Sequence, residues 1–111
     1  MQRKLAQNNL MWAWHTQLAK HKGETKESVH FAFKKTHVVP VLLAEDEHYA
    51  TVYMLIRENT RAVQAIVHKT STTDLSPKQL WAALEEYEMT TSRNGFCFEK
   101  KGRDYEWAQV R

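Results

Sequence analysis

The segment SPKQLW, which starts at Ser76, constrains the fold of this chain most strongly, because it marks the start of a helix. Ser76 can cap the first turn, Pro77 suits the first helical position since an N–H would be unpaired there, and Gln79 completes a capping box. Large side chains follow at helical spacing: Leu80, Trp81, Leu84 and Tyr87. The pattern predicts a helix that runs to about Thr91, with these four side chains in the core.

Helical spacing of apolar residues extends over much of the chain. It predicts helices over residues 4–21, 26–36 and 46–57, and Gly23 is suited to end the first of them. Pro40 follows the second predicted helix. Its missing N–H and rigid ring predict that the helix stops and that the backbone is extended just before the proline.

Two segments predict a small amount of strand. Residues 62–70 fit either a helix or a strand, because their apolar residues allow both periods. The aromatic segment 96–108 predicts a short hairpin with Gly102 at the turn. The predicted fold is therefore mostly α with a small β component (α+β). It is a single compact domain over residues 1–111, with three to four helices and a short C-terminal hairpin.

Length and composition favour a soluble protein. A chain of 111 residues fits one domain, and the single cysteine, Cys97, excludes an internal disulfide bond. No run of apolar residues approaches the ~18 needed to span a membrane, and the N-terminus lacks the apolar region of a signal peptide. We therefore expect a cytoplasmic protein that does not contact a membrane.

Sequence signals of catalysis and of cofactor binding are missing. The 6 histidines are scattered without the HExxH spacing of a zinc site, and 3 glycines are too few for a Gly-rich phosphate loop. No segment resembles the nucleophile elbow of a hydrolase. We expect no catalytic residue, no metal and no cofactor; a nuclease built from scattered histidines and carboxylates is the least favoured alternative.

Basic and aromatic residues are interleaved along the chain, whose net charge is +3 and whose pI is about 9.1. Cations that neutralise phosphates, together with flat rings that stack on bases, are typical of proteins that bind single-stranded nucleic acid. An ordinary basic domain with a Trp-rich core has the same composition. The basic candidates for DNA binding are Arg3, Lys4, Lys34, Lys35, Arg57, Arg61 and Arg103.

The N-terminal segment RKLAQNNLMWAW resembles the R-S-L-x-Q-N-x-x-x-W signature of the NinB/Orf family of phage recombination proteins. The residues that match in register are Arg3, Leu5, Gln7, Asn8 and Trp12, whereas Lys4 stands where the family usually has Ser. The segments TKESVHFAFKKTHVVPVL, STTDLSPKQLWAALEEYE and NGFCF are similar to further family elements in the same order. The resemblance covers roughly residues 3–98. Larger family members have an N-terminal stretch ahead of the motif, where this sequence has two residues.

This resemblance implies that the chain is a non-catalytic recombination mediator. Such a protein binds single-stranded DNA, engages the host single-strand-binding protein and helps to load a recombinase. The resemblance also implies a homodimer with a basic central channel.

Gln7 and Trp12 allow two interpretations. In the first, Gln7 ties the first helical turn to a neighbouring segment and Trp12 belongs to the core. In the second, the Gln7 amide bonds a base edge or a phosphate and the Trp12 indole stacks on a base, so that both are DNA-binding residues. By periodicity alone, Trp14 is the better candidate for an exposed ring.

Two further functions involve no contact with DNA. As a protein–protein adaptor, the chain would use the basic helix over residues 26–36 to bind the acidic tail of a host protein. As a small phage-encoded inhibitor, it would block a host nucleic-acid enzyme. Salt-dependent binding of a labelled oligonucleotide distinguishes DNA binding from both alternatives.

Overall fold

The computed structural model describes residues 2–110 and contains only helices, turns and irregular segments over that range. The predicted small β component is therefore wrong, and the fold is all-α. The predicted number of three to four helices is also wrong, because residues 2–110 form seven α-helices. The elements in chain order are α1 (Arg3–Lys22), α2 (Lys26–Phe33), a π-helical turn (Lys34–Val38), α3 (Val39–Glu45), α4 (Glu47–Ile56), α5 (Thr60–Lys69), a 3₁₀ turn (Thr72–Asp74), α6 (Pro77–Arg93) and α7 (Arg103–Ala108).

The predicted start of α6 is confirmed in detail. The Ser76 hydroxyl accepts a hydrogen bond from the Gln79 N–H at 3.1 Å, and Gln79 Oε1 accepts one from the Ser76 N–H at 2.8 Å. The helix then continues to Arg93, and its four predicted core residues, Leu80, Trp81, Leu84 and Tyr87, are buried. Local chemistry alone therefore determined where this helix begins and which face it buries.

The predicted break before Pro40 is wrong, because the chain continues from α2 into α3 through the π-helical turn. The Val39 N–H donates to the Lys34 carbonyl, five residues back. Pro40 lies in the first turn of α3, where it has no N–H to leave unpaired. A wider π turn accommodates the proline ring, which would otherwise crowd the carbonyl four residues earlier.

Residues 60–69 form α5, which resolves the ambiguity between helix and strand in favour of the helix. The Asn59 side chain caps it by accepting a hydrogen bond from the Ala62 N–H at 3.0 Å. Within residues 2–110 a strand here would have no partner, so its backbone groups would be unpaired. The helix pairs these groups internally and packs against α4 as a helical hairpin.

The predicted C-terminal hairpin is also wrong, because the segment after α6 packs on α1 instead of pairing with itself. The Trp14 ring stacks on Phe98 with centroids 4.8 Å apart, and its Nε1–H donates to the Glu99 carbonyl at 3.0 Å. Trp14 is therefore buried, contrary to the expectation from periodicity. Gly102, with φ +96°, does not turn a hairpin but precedes α7, which lies along α1.

The core lies between α1, α2 and α6, and α7 and Phe98 close it on one side. No described helix is long and apolar enough to cross a membrane.

Candidate nucleic-acid interface

A groove of about 270 Å³ lies between α2 with its π-helical turn and the α4–α5 hairpin. We call it the basic groove, because its charged lining residues are both cations, Lys35 and Arg57. Its lining residues are Phe31, Lys35, Tyr53, Arg57, Thr60, Val63, Gln64 and Val67. None of these is acidic, so no lining residue repels a phosphate.

The two walls of the basic groove repeat the same arrangement of an aromatic ring and a cation. Phe31 precedes Lys35 by four residues on one wall, and Tyr53 precedes Arg57 by four residues on the other. Residues four apart lie on the same face of a helix. Each wall therefore presents one flat ring and one positive charge to the same space.

The first turns of α5 extend the positive charge beyond the groove. Arg61 is exposed and precedes the lining residue Gln64 by three positions, which puts the two on one side of the helix. Near the end of α5, the His68 ring packs against Phe31, with centroids 4.5 Å apart. Three of the predicted DNA-binding residues, Lys35, Arg57 and Arg61, are thus in or beside one surface.

Lys34 does not line the basic groove, although it is next to Lys35 in sequence. Its side chain is only 7% exposed, and its Nζ donates to the carbonyls of His68 and Thr70, both at 3.1 Å. Burial lowers the pKa of the ammonium group. These contacts attach the end of α5 to the π-helical turn that follows α2, so Lys34 holds one wall of the basic groove in place.

The predicted residues in the first two turns of α1 make tertiary contacts. Lys4 Nζ donates to the carbonyl of Thr73 at 2.7 Å and to that of Leu75. Gln7 is fully buried, and its Nε2 donates to the carbonyls of Pro77 at 2.8 Å and Ala108 at 2.9 Å. This arrangement supports the interpretation in which Gln7 ties α1 to its neighbours.

Trp12 is partly buried against a hydrogen-bonded chain of polar rings that the sequence did not reveal. Its indole lies over His30, with centroids 4.4 Å apart. His15 Nδ1 is 2.8 Å from the Tyr87 hydroxyl, and His15 Nε2 is 3.0 Å from His30 Nδ1. The three hydrogen-bonded rings, His15, His30 and Tyr87, come from three different helices. No local spacing in the sequence could therefore have indicated that they meet.

Burial in the core keeps His15 and His30, the two histidines among these hydrogen-bonded rings, neutral at pH 7. Burial, with a smaller effect from the neighbouring His30, lowers the pKa of His15 to about 3. Burial also lowers the pKa of His30 to about 4, with a smaller effect from the charge of Lys34. The pKa of the Tyr87 hydroxyl is raised by burial. A neutral chain of this kind holds α1, α2 and α6 together.

The remaining predicted residues are exposed and do not line the basic groove. Arg3 opens α1 and Arg103 opens α7. In the described part of the chain, no three His, Cys, Asp or Glu side chains are grouped so that they could hold a metal ion.

Comparisons with protein-family models, curated proteins and solved structures gave no match. The resemblance of the N-terminal motif to the NinB/Orf family therefore stays a prediction.

Proposed function

We propose that the chain binds single-stranded DNA in the basic groove and acts without catalysis as a recombination mediator. The observation that carries the first part is the pairing of Phe31 with Lys35 and of Tyr53 with Arg57 on facing walls. Cations that follow the phosphates and rings that stack on bases are the two requirements for binding a single strand without sequence preference.

The role in recombination rests on the motif resemblance of the first helix. That resemblance also supports a partner, the host single-strand-binding protein, and a homodimer with a basic channel. Gln7 and Trp12 serve the fold in this proposal, because Gln7 bonds carbonyls of other elements and Trp12 packs on His30.

A salt titration with a fluorescently labelled oligonucleotide tests the DNA-binding proposal. Each phosphate contact with a single strand contributes about −0.7 to the slope of log K against log salt. Three cations, Lys35, Arg57 and Arg61, therefore predict a slope of about −2. The double variant K35E/R57E should reduce the magnitude of this slope by about 1.4 and weaken all sequences about equally.

The matched control is K20E/K78E, which makes the same change in net charge at two exposed lysines outside the groove. It should keep most of the affinity and the slope. Equal losses in both double variants would show that only net charge matters and would contradict a binding groove. No binding of the wild-type chain at low salt would remove the DNA proposal altogether.

One observation favours the adaptor or inhibitor as a second candidate. Leu55 is 82% exposed and Met54 is 55% exposed on α4, a helix in which no residue is buried. Neighbouring exposed apolar side chains of this size are typical of protein contacts. This surface lies on α4 and differs from the basic helix over residues 26–36 that the sequence suggested for an adaptor. If the oligonucleotide does not bind and a host protein is instead captured through α4, we expect L55K to abolish its capture while K35E/R57E leaves it intact.

A further inference from the structure

A second cavity, of about 360 Å³, lies between the end of α1, the middle of α2 and the end of α6. We call it the aromatic cavity. Its volume is within the range of about 300–1,000 Å³ that is usual for small-molecule sites. The ring-bearing residues in its lining are His21, Phe33, His37, Tyr87 and Phe96.

The aromatic cavity is separate from the basic groove, although both use α2. Phe31 and Lys35 face the groove, whereas Val29, Phe33 and Thr36 line the cavity. These two sets lie on different faces of the helix. A ligand in the cavity therefore does not depend on the DNA-binding proposal.

His37 is the buried polar side chain that points to a ligand here. The residue is 6% exposed, and its Nδ1 is 2.9 Å from Glu86 Oε1. Its Nε2 makes no hydrogen bond with any described residue, yet it is not among the fully buried atoms that lack a partner. Nε2 therefore keeps access to solvent, and His37 is one of the residues that line the aromatic cavity.

The carboxylate of Glu86 determines what Nε2 can do. It accepts the Nδ1–H, so the neutral imidazole has an unprotonated Nε2 that accepts a hydrogen bond. A ligand that bonds the neutral ring at this atom brings an N–H or O–H donor.

The walls of the cavity determine the shape and charge of that ligand. Phe33 and Tyr87 pack with centroids 4.8 Å apart, and His21 stacks on Phe96 at 4.5 Å. The hydroxyl of Tyr87 is engaged with His15, so it is not free to bond a ligand. Lys22 and Glu24 in the lining neutralise each other, with Nζ 3.2 Å from Oε2. Apolar rings and a paired charge favour a flat, neutral molecule.

We propose that the aromatic cavity binds a nucleobase, whose ring packs on His21 and Phe96 and whose N–H donates to His37 Nε2. A flat, neutral heterocycle with an N–H donor meets all three requirements of shape, charge and hydrogen bonding. The base can come from a free nucleoside or from an unpaired residue of a nucleic-acid strand.

The test is an NMR titration of the full chain with adenosine, guanosine, cytidine and uridine, and with ribose as the sugar control. We expect at least one nucleoside to shift the His37 Nε2 resonance in a saturable way, and ribose to leave it unchanged. A parallel titration with a short oligonucleotide identifies the source: saturation by the oligonucleotide alone assigns the base to a strand. No shift with any nucleoside or with the oligonucleotide overturns the proposal.

Two variants in the cavity and one control outside it keep the test specific. H37A should weaken binding about three- to tenfold, because it removes one hydrogen bond, whereas H48A, at an exposed histidine outside the cavity, should have no effect. F96A removes a wall at a partly buried position and should also weaken binding, even if H37A fails to fold. Unchanged affinity in F96A, or in a folded H37A, would contradict binding in this cavity.

Discussion

At the scale of single residues, the neutral state of His15 and His30 makes the stability of the fold dependent on pH. Both pKa values are lowered from 6.5, to about 3 and about 4. Above about pH 6.5 the folded and unfolded chains are both neutral at these positions, so the contribution is complete. Below it the unfolded chain binds protons that the folded chain does not, and stability falls.

We therefore predict that the free energy of unfolding decreases as the pH falls from about 6.5 to about 5. Each histidine contributes up to ~1.4 kcal/mol per pH unit. Urea denaturation at several pH values measures the slope. H48Q, at an exposed histidine, should preserve the slope and H15Q should reduce it. A flat profile for the wild-type chain would show that the buried chain of rings does not exclude protons.

Gln7 is the second residue whose role a single change can decide. Q7A would leave the carbonyls of Pro77 and Ala108 without their donor, so we predict a loss of about 1–3 kcal/mol in unfolding free energy. N9A, an exposed amide on the same helix, is the control and should change stability by less than ~0.5 kcal/mol. A stable Q7A variant with reduced DNA affinity would instead support the DNA-contacting interpretation.

At the scale of elements, two adjacent lysines have different roles in the basic groove: one holds its wall in place and the other is available to bind DNA. Lys34 holds the end of α5 through two carbonyls, whereas Lys35 is exposed in the groove. K34M should lower stability by about 1–3 kcal/mol through the carbonyls that it leaves without a donor. K35M should leave the free energy of unfolding within ~0.5 kcal/mol of the wild-type value. It should reduce the magnitude of the slope of log K against log salt by about 0.7.

Thermal melting and oligonucleotide affinity are measured on both variants. We expect K34M to lower the melting temperature and K35M to lower the affinity. Each variant is the control for the other, because both replace one lysine by methionine. If K35M lost stability while K34M lost only DNA affinity, the roles assigned to the two lysines would be reversed.

At the scale of the whole molecule, charge and apolar surface divide the chain into two parts. The compact part, built on α1, α2, α6 and α7, contains most of the buried side chains. The α4–α5 hairpin buries only Val67 but supplies one wall of the basic groove and the exposed Met54 and Leu55. In this proposal DNA binds where the α4–α5 hairpin meets α2. Elements that bury few side chains in the core, such as this hairpin, are the ones from which binding surfaces are usually built.

The sequence by itself determined the elements whose signals are local. The capping box at Ser76, the end of α1 at Gly23 and the apolar face of α6 depend on residues within one or two turns, so neighbouring side chains were enough to predict them. The basic candidates Lys35, Arg57 and Arg61 were also identified from the sequence, because charge and aromatic content are visible there.

Only the tertiary structure decided the features that depend on distant partners. The segment 96–102 packs on Trp14, which replaces the hairpin that its own pattern predicted. Lys34 and Lys35 are identical in type and adjacent in sequence, yet contact with α5 makes one structural and leaves the other exposed. Burial and hydrogen-bond partners come from elements far apart in the chain, and no local pattern records which elements will meet.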